Sequence, residues 1–140
     1  MASPKSALLL DFFWCQQILH HNKTWEIRGH ASRTCGRIAL ACTKSTSPTG
    51  ECLILGEVDL TGCLMVGRQR GGFVVPPETT SDYMFLRANV KKHRIFKVRD
   101  FRKLPSYQTI YAWVLSKPTC YDAPKKLEVK RGCIVWVKIP

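Results

Sequence analysis

Three ionisable side chains of complementary charge occur within one short segment, residues 22–29. These are Lys23, Glu26 and Arg28, and the residues between them favour a β-strand. Because side chains alternate along a strand, Thr24, Glu26 and Arg28 share one face and the apolar residues share the other. We therefore expect a strand whose charged face lines a functional cleft, with Lys23 at its entrance.

Each of these three residue types has more than one chemistry. Lys23 is suited to holding phosphate as a point charge, or to acting as a catalytic base if burial lowers its pKa. Glu26 is suited to hydrogen-bonding a base edge or positioning Lys23. Arg28 is suited to pairing with Glu26 or binding phosphate through two parallel hydrogen bonds. A purely structural ion-pair strand is the alternative, and Lys23 and Glu26 are catalytic candidates only if the protein is an enzyme.

The whole chain is strongly basic. Its 140 residues include 22 Lys and Arg against 10 Asp and Glu, which gives a net charge of +12 at pH 7. An excess of this size is typical of proteins with a polyanionic partner, and nucleic acid is the commonest. Hydrophobic residues make up 45% of the chain, which is enough for a packed core and argues against disorder.

Positive charge is densest in residues 91–103, where seven Lys and Arg stand against one Asp. Apolar residues, among them Ile95 and Phe96, are interleaved with the cations. We expect the apolar residues to fix this segment to the protein while the cations face outward and bind phosphates. A solvated edge is the alternative. The candidate phosphate-binding residues here are Lys92, Arg94, Lys97, Arg99 and Arg102.

Four more residues are candidates for nucleic-acid contact. Trp14 lies near the start of a predicted helix and is suited to stacking on a base, which is worth ~1–3 kcal/mol; core packing is the alternative. Thr43, Lys44 and Ser45 follow a predicted central strand and are candidates for the floor of the cleft.

The cysteine pattern and the apolar runs indicate an intracellular protein, cytoplasmic or nuclear. The chain has seven cysteines and no Cys-x-x-Cys pair, and several lie inside apolar runs, as buried thiols in a reducing compartment do. No His and Cys spacing fits a common zinc site, so neither a metal nor another cofactor is predicted. Residues 7–10 are too few to span a bilayer, and no membrane partner is expected.

Hydrophobic periodicity predicts about six strands and two or three short helices. The strands are expected at residues 7–10, 24–28, 36–43, 52–64, 108–117 and 132–139. The helices are expected at residues 12–21 and 83–92. Because few helices separate the strands, a small, largely antiparallel β-barrel with flanking helices is favoured over a parallel sheet.

The remaining segments are assigned to tails, turns and loops. Residues 1–6 are expected to be a flexible tail, and residues 7–140 a single domain. A bend or bulge is expected near Gly56, and Pro118 and Pro124 are expected to bracket a turn. Residues 66–80 contain three glycines and two prolines and are expected to form a long loop that could contact a protein partner.

The ordered series of segments resembles the ASCH domain, a member of the PUA-like superfamily of small β-barrels. Residues 22–28 look like the G-x-K-x-x-E-x-R signature of that family. Residues 36–40 and 54–60 resemble two of its strand motifs, and residues 111–115 and 132–137 resemble its closing pattern. His21 or Asn22 stands where the family usually has glycine, and the loop at residues 66–80 has no clear counterpart.

The resemblance implies a cleft rimmed by the Lys23–Arg28 strand and binding of nucleic acid, RNA in preference to DNA. Some relatives recognise modified bases, one bacterial branch hydrolyses N4-acetylcytidine, and another has ribonuclease activity. The hydrolytic branch has a threonine two residues before the signature arginine, where this chain has Glu26. The resemblance therefore favours binding over that reaction, and leaves open the strandedness, the base recognised and the oligomeric state.

Overall fold

Strands dominate the computed structural model, which describes residues 3–70, 73–75, 88–96, 109–133 and 135–140. The strands are β1 (Ser6–Leu10), β2 (Trp25–Arg28), β3 (Gly36–Cys42), β4 (Leu53–Arg70), β5 (Phe73–Val75), β6 (Thr109–Lys126) and β7 (Trp136–Lys138). The helices are α1 (Phe12–His20), a short 3-10 helix (Lys44–Thr46) and α2 (Val90–His93). No helix in these ranges has the length and apolar character needed to cross a bilayer.

The strands form one mixed sheet in the order β2-β6-β4-β3-β1-β7, with β5 paired to β4. β1 and β3 are parallel. The pairs β1–β7, β2–β6, β3–β4 and β4–β5 are antiparallel. The prediction of a mainly β, mostly antiparallel fold with short helices is confirmed. Among the described strands, however, the path of pairing ends at β2 and β7 and does not close into a barrel.

The chain divides into two compact units. The first comprises Met1–Asn22, Cys35–Leu60 and Ser116–Pro140, and the second comprises Lys23–Thr34 and Thr61–Leu115. The long strands β4 and β6 contribute residues to both units. A single domain over residues 7–140 stays a prediction. The flexible tail over residues 1–6 also stays a prediction, and β1 begins at its last residue, Ser6, which pairs with Lys138.

The core of the first unit is built on the parallel pair β1 and β3. Both strands are apolar runs, and Leu8 and Leu40, which lie opposite each other in the register, are fully buried. Burying a leucine side chain is worth roughly 1.5–3 kcal/mol. An unbroken apolar run is typical of a strand that is buried on both faces, and residues 38–42 are all buried.

Arg37 links β3 to β4 in this unit through hydrogen bonds to two carboxylates. Its Nε donates to Glu57 Oε1 at 2.9 Å, and its Nη1 donates to Asp59 Oδ1 at 3.1 Å. Tyr121 Oη donates to Glu57 Oε2 at 2.6 Å. The hydrogen bonds from Tyr121 and Arg37 lower the pKa of Glu57, whereas burial and the Glu57 contact raise the pKa of Tyr121 to about 12. Glu57 and Asp59 therefore share one face of β4, as their spacing predicts.

The predicted irregularity near Gly56 is present. The β3–β4 register shifts between Leu40, opposite Gly56, and Ala41, opposite Ile54. A Cβ on Gly56 would lie 2.8 Å from Leu19 Cδ2 and 3.2 Å from Cys120 Cα, and closer still to the Thr119 carbonyl oxygen. Only glycine therefore allows β6 to approach β4 at this point.

We expect Gly56→Ala to lower the free energy of unfolding by about 1–3 kcal/mol, because backbone atoms of β6 must move to admit the methyl group. Urea unfolding measures this. Gly62→Ala is the matched control, since it lies in the same strand and its Cβ would meet nothing within 4 Å. An equal loss in both variants would show that strand propensity, and not the close approach, is responsible.

The prediction that Pro118 and Pro124 bracket a turn is wrong, because β6 continues through both to Lys126. Proline is tolerated in a strand where its missing N–H is not needed by a neighbour, and residues 117–120 and 122–126 are exposed. Lys117, just before Pro118, has a φ of 53°, which marks a local break in the extended backbone. The sequence rule for proline therefore ended the strand too early.

Two other boundaries differ from the predictions. The strand predicted at residues 132–139 shortens to β7, because Gly132 has a φ of +94° within a turn. The long loop predicted at residues 66–80 is a β-hairpin at its start, because β4 extends to Arg70 and pairs with β5. Of the helix predicted at residues 83–92, residues 83–87 lie outside the described ranges, and α2 covers its end.

Candidate functional site

The chain turns at Asn22, shortly before β2 begins. Asn22 has a φ of 58°, in the left-handed region that glycine favours and that asparagine adopts more readily than most residues. Of the two positions where the resembling family has glycine, Asn22 thus keeps a glycine-like backbone, whereas His21 has a φ of −128°. In the second unit, Thr24 N donates to Lys92 O at 2.9 Å and Thr24 O accepts from Leu115 N at 2.8 Å. The start of β2 is therefore held both to β6 and to α2.

Glu26 lies between two cations in the second unit. Its Oε1 is 3.6 Å from Lys23 Nζ, and its Oε2 accepts a hydrogen bond from Arg28 Nε at 3.1 Å. Lys23 Nζ also donates to the His93 carbonyl oxygen at 2.6 Å. The structure thus brings Lys23, Glu26 and Arg28 together, as their spacing predicts, and ties them to α2.

This ion cluster, Lys23–Glu26–Arg28, is buried rather than open. The side chains of Lys23, Glu26 and Arg28 are 1%, 8% and 15% exposed. Trp25, on the opposite face of β2, is also buried. β2 is therefore covered on both faces, and Arg28 is the most accessible member of the cluster.

Burial governs the protonation of Lys23. Removal from water lowers the pKa of Lys23 from 10.5 to about 8, the Glu26 carboxylate opposes this change, and the positive charges of Arg28 and Arg94 add to it. With that pKa, about one molecule in ten has a neutral Lys23 amine at pH 7. The amine is thus close to the range in which a lysine serves as a base, although its hydrogen bond goes to a backbone carbonyl.

Trp113 packs beneath Arg28. It is fully buried and lies opposite Glu26 in the β2–β6 register. Its Nε1 donates to His30 O at 2.8 Å, and Arg28 Cζ lies 5.6 Å from its ring centroid. An Arg–aromatic contact of this kind contributes ~0.5–2 kcal/mol. Trp113 is a core residue, and it also orients Arg28.

The described part of the basic segment, residues 91–96, turns its side chains in opposite directions. His93 is fully buried and Ile95 is 5% exposed, whereas Lys91 and Lys92 are exposed. Arg94 ends α2 with a φ of 57°, and its Cζ lies 5.0 Å from the Phe96 ring centroid. Phe96 was expected to anchor the segment, but it is 60% exposed. Lys97, Arg99 and Arg102 lie outside the described residues.

The other candidates fall in the first unit. Trp14 lies on α1, half-buried, with its ring centroid 4.8 Å from that of Phe13. Lys44 and Ser45 lie in the 3-10 helix, which Thr43 precedes. Thr43 and Lys44 both line a cavity. Lys23 and Arg28 belong to the second unit, so the candidates divide between the two units.

His93 is the site residue that sequence reasoning missed. Its carbonyl holds Lys23, and its Nδ1 accepts a hydrogen bond from Ile95 N at 2.9 Å, which places the proton of the neutral ring on Nε2. The available signal was its residue type, because a neutral imidazole is buried more readily than the lysines and arginines around it. Among the described residues, no three His, Cys, Asp or Glu side chains are placed to share a metal ion.

The fold is that of the ASCH domain, which confirms at the level of fold the resemblance carried by the sequence motifs. A crystal structure of ASCH from Zymomonas mobilis matches with a TM-score of 0.56 at 14% identity, over 82% of this chain and 68% of that chain. A crystal structure of a tyrosine-to-phenylalanine mutant of ASCH from the same organism matches with a TM-score of 0.63 at 11% identity, over 99% and 91%. At these identities the likeness concerns the fold alone. No protein-family model and no curated protein matches the sequence.

Proposed function

We propose that the protein is a nucleic-acid-binding module that prefers RNA, and that the segment Lys91–Phe96 forms its contact surface. The observation that carries this proposal is the exposed ring of Phe96 with the Arg94 guanidinium 5.0 Å from its centroid. Proteins that bind single strands combine such an aromatic ring, on which a base stacks, with cations that hold the phosphates. Lys91 and Lys92, both exposed, supply further cations in the same segment.

The contact surface is preorganised by the residues beneath it. Lys23 Nζ and Thr24 N hold the carbonyls of His93 and Lys92, at 2.6 and 2.9 Å. The Lys92 ammonium also lies 4.8 Å from the Trp25 ring centroid. A surface fixed before binding loses less conformational entropy on binding. The ion cluster thus chiefly supports the contact surface. Within the cluster, Arg28 is the candidate for direct contact with the nucleic acid.

The preference for RNA rests on the resemblance to ASCH and related domains, whereas the net charge of +12 favours a nucleic acid of either kind. The cations at Lys97, Arg99 and Arg102 would extend the surface along a phosphate backbone. Recognition of a modified or extruded base belongs to the same proposal, with Arg28 beside the base. Trp14, Thr43, Lys44 and Ser45 are not required by it.

We expect Phe96→Ala to weaken binding of a single-stranded RNA of about ten nucleotides by ~1–3 kcal/mol, because one base loses its stacking partner. Fluorescence anisotropy measures the affinity, with DNA of the same sequence in parallel. Phe13→Ala is the matched control, since Phe13 is 55% exposed and lies outside the proposed surface. If both variants and the unmodified protein bind RNA with equal affinity, no base stacks on Phe96.

We expect Lys91→Gln/Lys92→Gln to reduce the dependence of affinity on salt. Two lost phosphate contacts lower the magnitude of the slope of log K against log salt by about 1.4 for a single strand, measured between about 50 and 200 mM salt. Lys5→Gln/Lys126→Gln removes the same charge from exposed positions in the first unit. If that control lowers the slope as much, binding follows net charge and not this surface.

An enzyme acting on nucleic acid or on a modified nucleoside is the second candidate. The observation in its favour is the Lys23 pKa of about 8, which suits a general base of a ribonuclease or an N4-acetylcytidine amidohydrolase. Its side chain is only 1% exposed, so substrate would have to displace the His93 carbonyl to reach it. Turnover of RNA or N4-acetylcytidine that Lys23→Met abolishes while the fold persists would favour the enzyme.

A further inference from the structure

A cavity of about 260 Å³ lies in the first unit, on residues other than the proposed nucleic-acid surface. Backbone hydrogen bonds fix its walls. Thr43 N donates to Leu10 O at 3.0 Å, which fixes the segment after β3, and Leu127 N donates to Cys52 O at 2.9 Å, which fixes the segment after β6. The cavity is therefore formed before any ligand arrives, as most small-molecule sites are.

Three cations line this cavity. They are Lys44, Lys130 and Arg131, and no Asp or Glu of the described residues lines it. None of the three has a carboxylate within 4.0 Å in the described part of the chain, whereas Arg37 and Lys126 are both paired. All three residues are exposed, and like charges gathered at one concave site raise the local concentration of anions.

The floor of the cavity is apolar and uncharged. Leu9 and Cys52 are 6% and 2% exposed. Burial raises the pKa of the Cys52 thiol, and the nearby Cys42 adds to the rise, while the Lys44 charge opposes it. The thiol is therefore neutral at pH 7. A ligand here would meet cations at the rim and apolar atoms below.

We propose that this cavity binds a phosphomonoester. Arg131 is suited to a bidentate grip on a terminal phosphate, and the two lysines are suited to neutralising its second charge. The turn at Gly132, with a φ of +94° and open space on its Cβ side, leaves the backbone beside Arg131 accessible. The volume is just below the roughly 300–1,000 Å³ of drug-sized sites, so the ligand is small. A free mononucleotide and the 5′-phosphate end of a strand present the same group.

Amide NMR titration tests this site. The probes are inorganic phosphate, adenosine 5′-monophosphate, adenosine, and a tetranucleotide with either a 5′-phosphate or a 5′-hydroxyl. We expect the two phosphate-bearing small molecules to shift the amide signals of Gly132 and Cys133 saturably, and adenosine not to. Lys44→Gln/Arg131→Gln should weaken binding of adenosine 5′-monophosphate about hundredfold, or about tenfold for each cation. Lys5→Gln/Lys126→Gln should leave it unchanged.

The tetranucleotides identify the source of the phosphate. Tighter binding of the 5′-phosphorylated strand than of adenosine 5′-monophosphate assigns the site to strand ends, and equal binding assigns it to the free ester; both support the proposal. No saturable shift up to about 10 mM adenosine 5′-monophosphate overturns it, as does an equal loss in the two double variants. Equal binding of the 5′-hydroxyl strand also overturns it, because internal phosphodiesters are then recognised.

Discussion

Glu26→Ala is expected to lower the free energy of unfolding by about 3–5 kcal/mol, the cost of leaving buried charges without their partner. Glu26 is 3.6 Å from Lys23 Nζ and 3.1 Å from Arg28 Nε, and its side chain is 8% exposed. Without the carboxylate, two cations face each other across a buried space. Urea unfolding at pH 7 measures this loss as a shift in the midpoint urea concentration, with the m-value unchanged.

The control for this prediction is Glu128→Ala. Glu128 lies 4.0 Å from Lys126, and its side chain is 92% exposed, so its ion pair should contribute little. Lys23→Met/Glu26→Ala should recover part of the Glu26→Ala loss, because the unpaired ammonium is gone. If Glu26→Ala costs no more than Glu128→Ala, the cluster does not hold β2 in place.

Raising the pH from 7 to 10 is expected to stabilise the protein relative to Lys23→Met by about 2–3 kcal/mol. The pKa of Lys23 is lowered from 10.5 to about 8 by burial, so between those values the unfolded chain binds the proton and the folded chain does not. Stability therefore rises with pH across this window. The cost of burying the charged Lys23 ammonium lowers the free energy of unfolding fully below pH 8, and this cost has largely gone near pH 10.5.

The quantity to follow with pH is the difference in the free energy of unfolding between the unmodified protein and Lys23→Met. The raised pKa values of Cys52 and Tyr121 mean that the folded state holds those protons longer, which lowers stability as pH rises past 9 and 10. Both contributions are shared by Lys23→Met and cancel in the difference. Parallel stability curves for the two proteins from pH 7 to 10 would show that Lys23 is protonated alike in both states.

Much of the fold follows from local patterns. The strands predicted at residues 36–43 and 52–64 are confirmed as β3 and β4, and Glu57 and Asp59 share a face of β4, as the alternation of side chains along a strand requires. Gly56 predicted a bulge, because a strand glycine often marks a close backbone approach. These successes depend on side-chain period and residue type, which are properties of neighbours along the chain.

The errors arose where tertiary pairing overrides a local signal. Pro118 and Pro124 predict a turn between them, but the exposed half of β6 does not need their N–H groups. The end of β4, residues 68–70, pairs with β5, although one long loop is predicted there. In the sequence, Gly71 and Gly72 stand between the two strands, and two glycines at that spacing are a hairpin signal.

The basic charge, the mainly β architecture and the proximity of Lys23, Glu26 and Arg28 could be predicted from the sequence, because each depends on composition or on residues a few positions apart. Three features required the packed structure: this cluster is buried, the His93 carbonyl, 70 residues away, holds Lys23, and Phe96 faces outward. Burial and the partners of a charge depend on segments distant along the chain. Local periodicity carries no information about them, although they set the pKa of Lys23 and the character of the site.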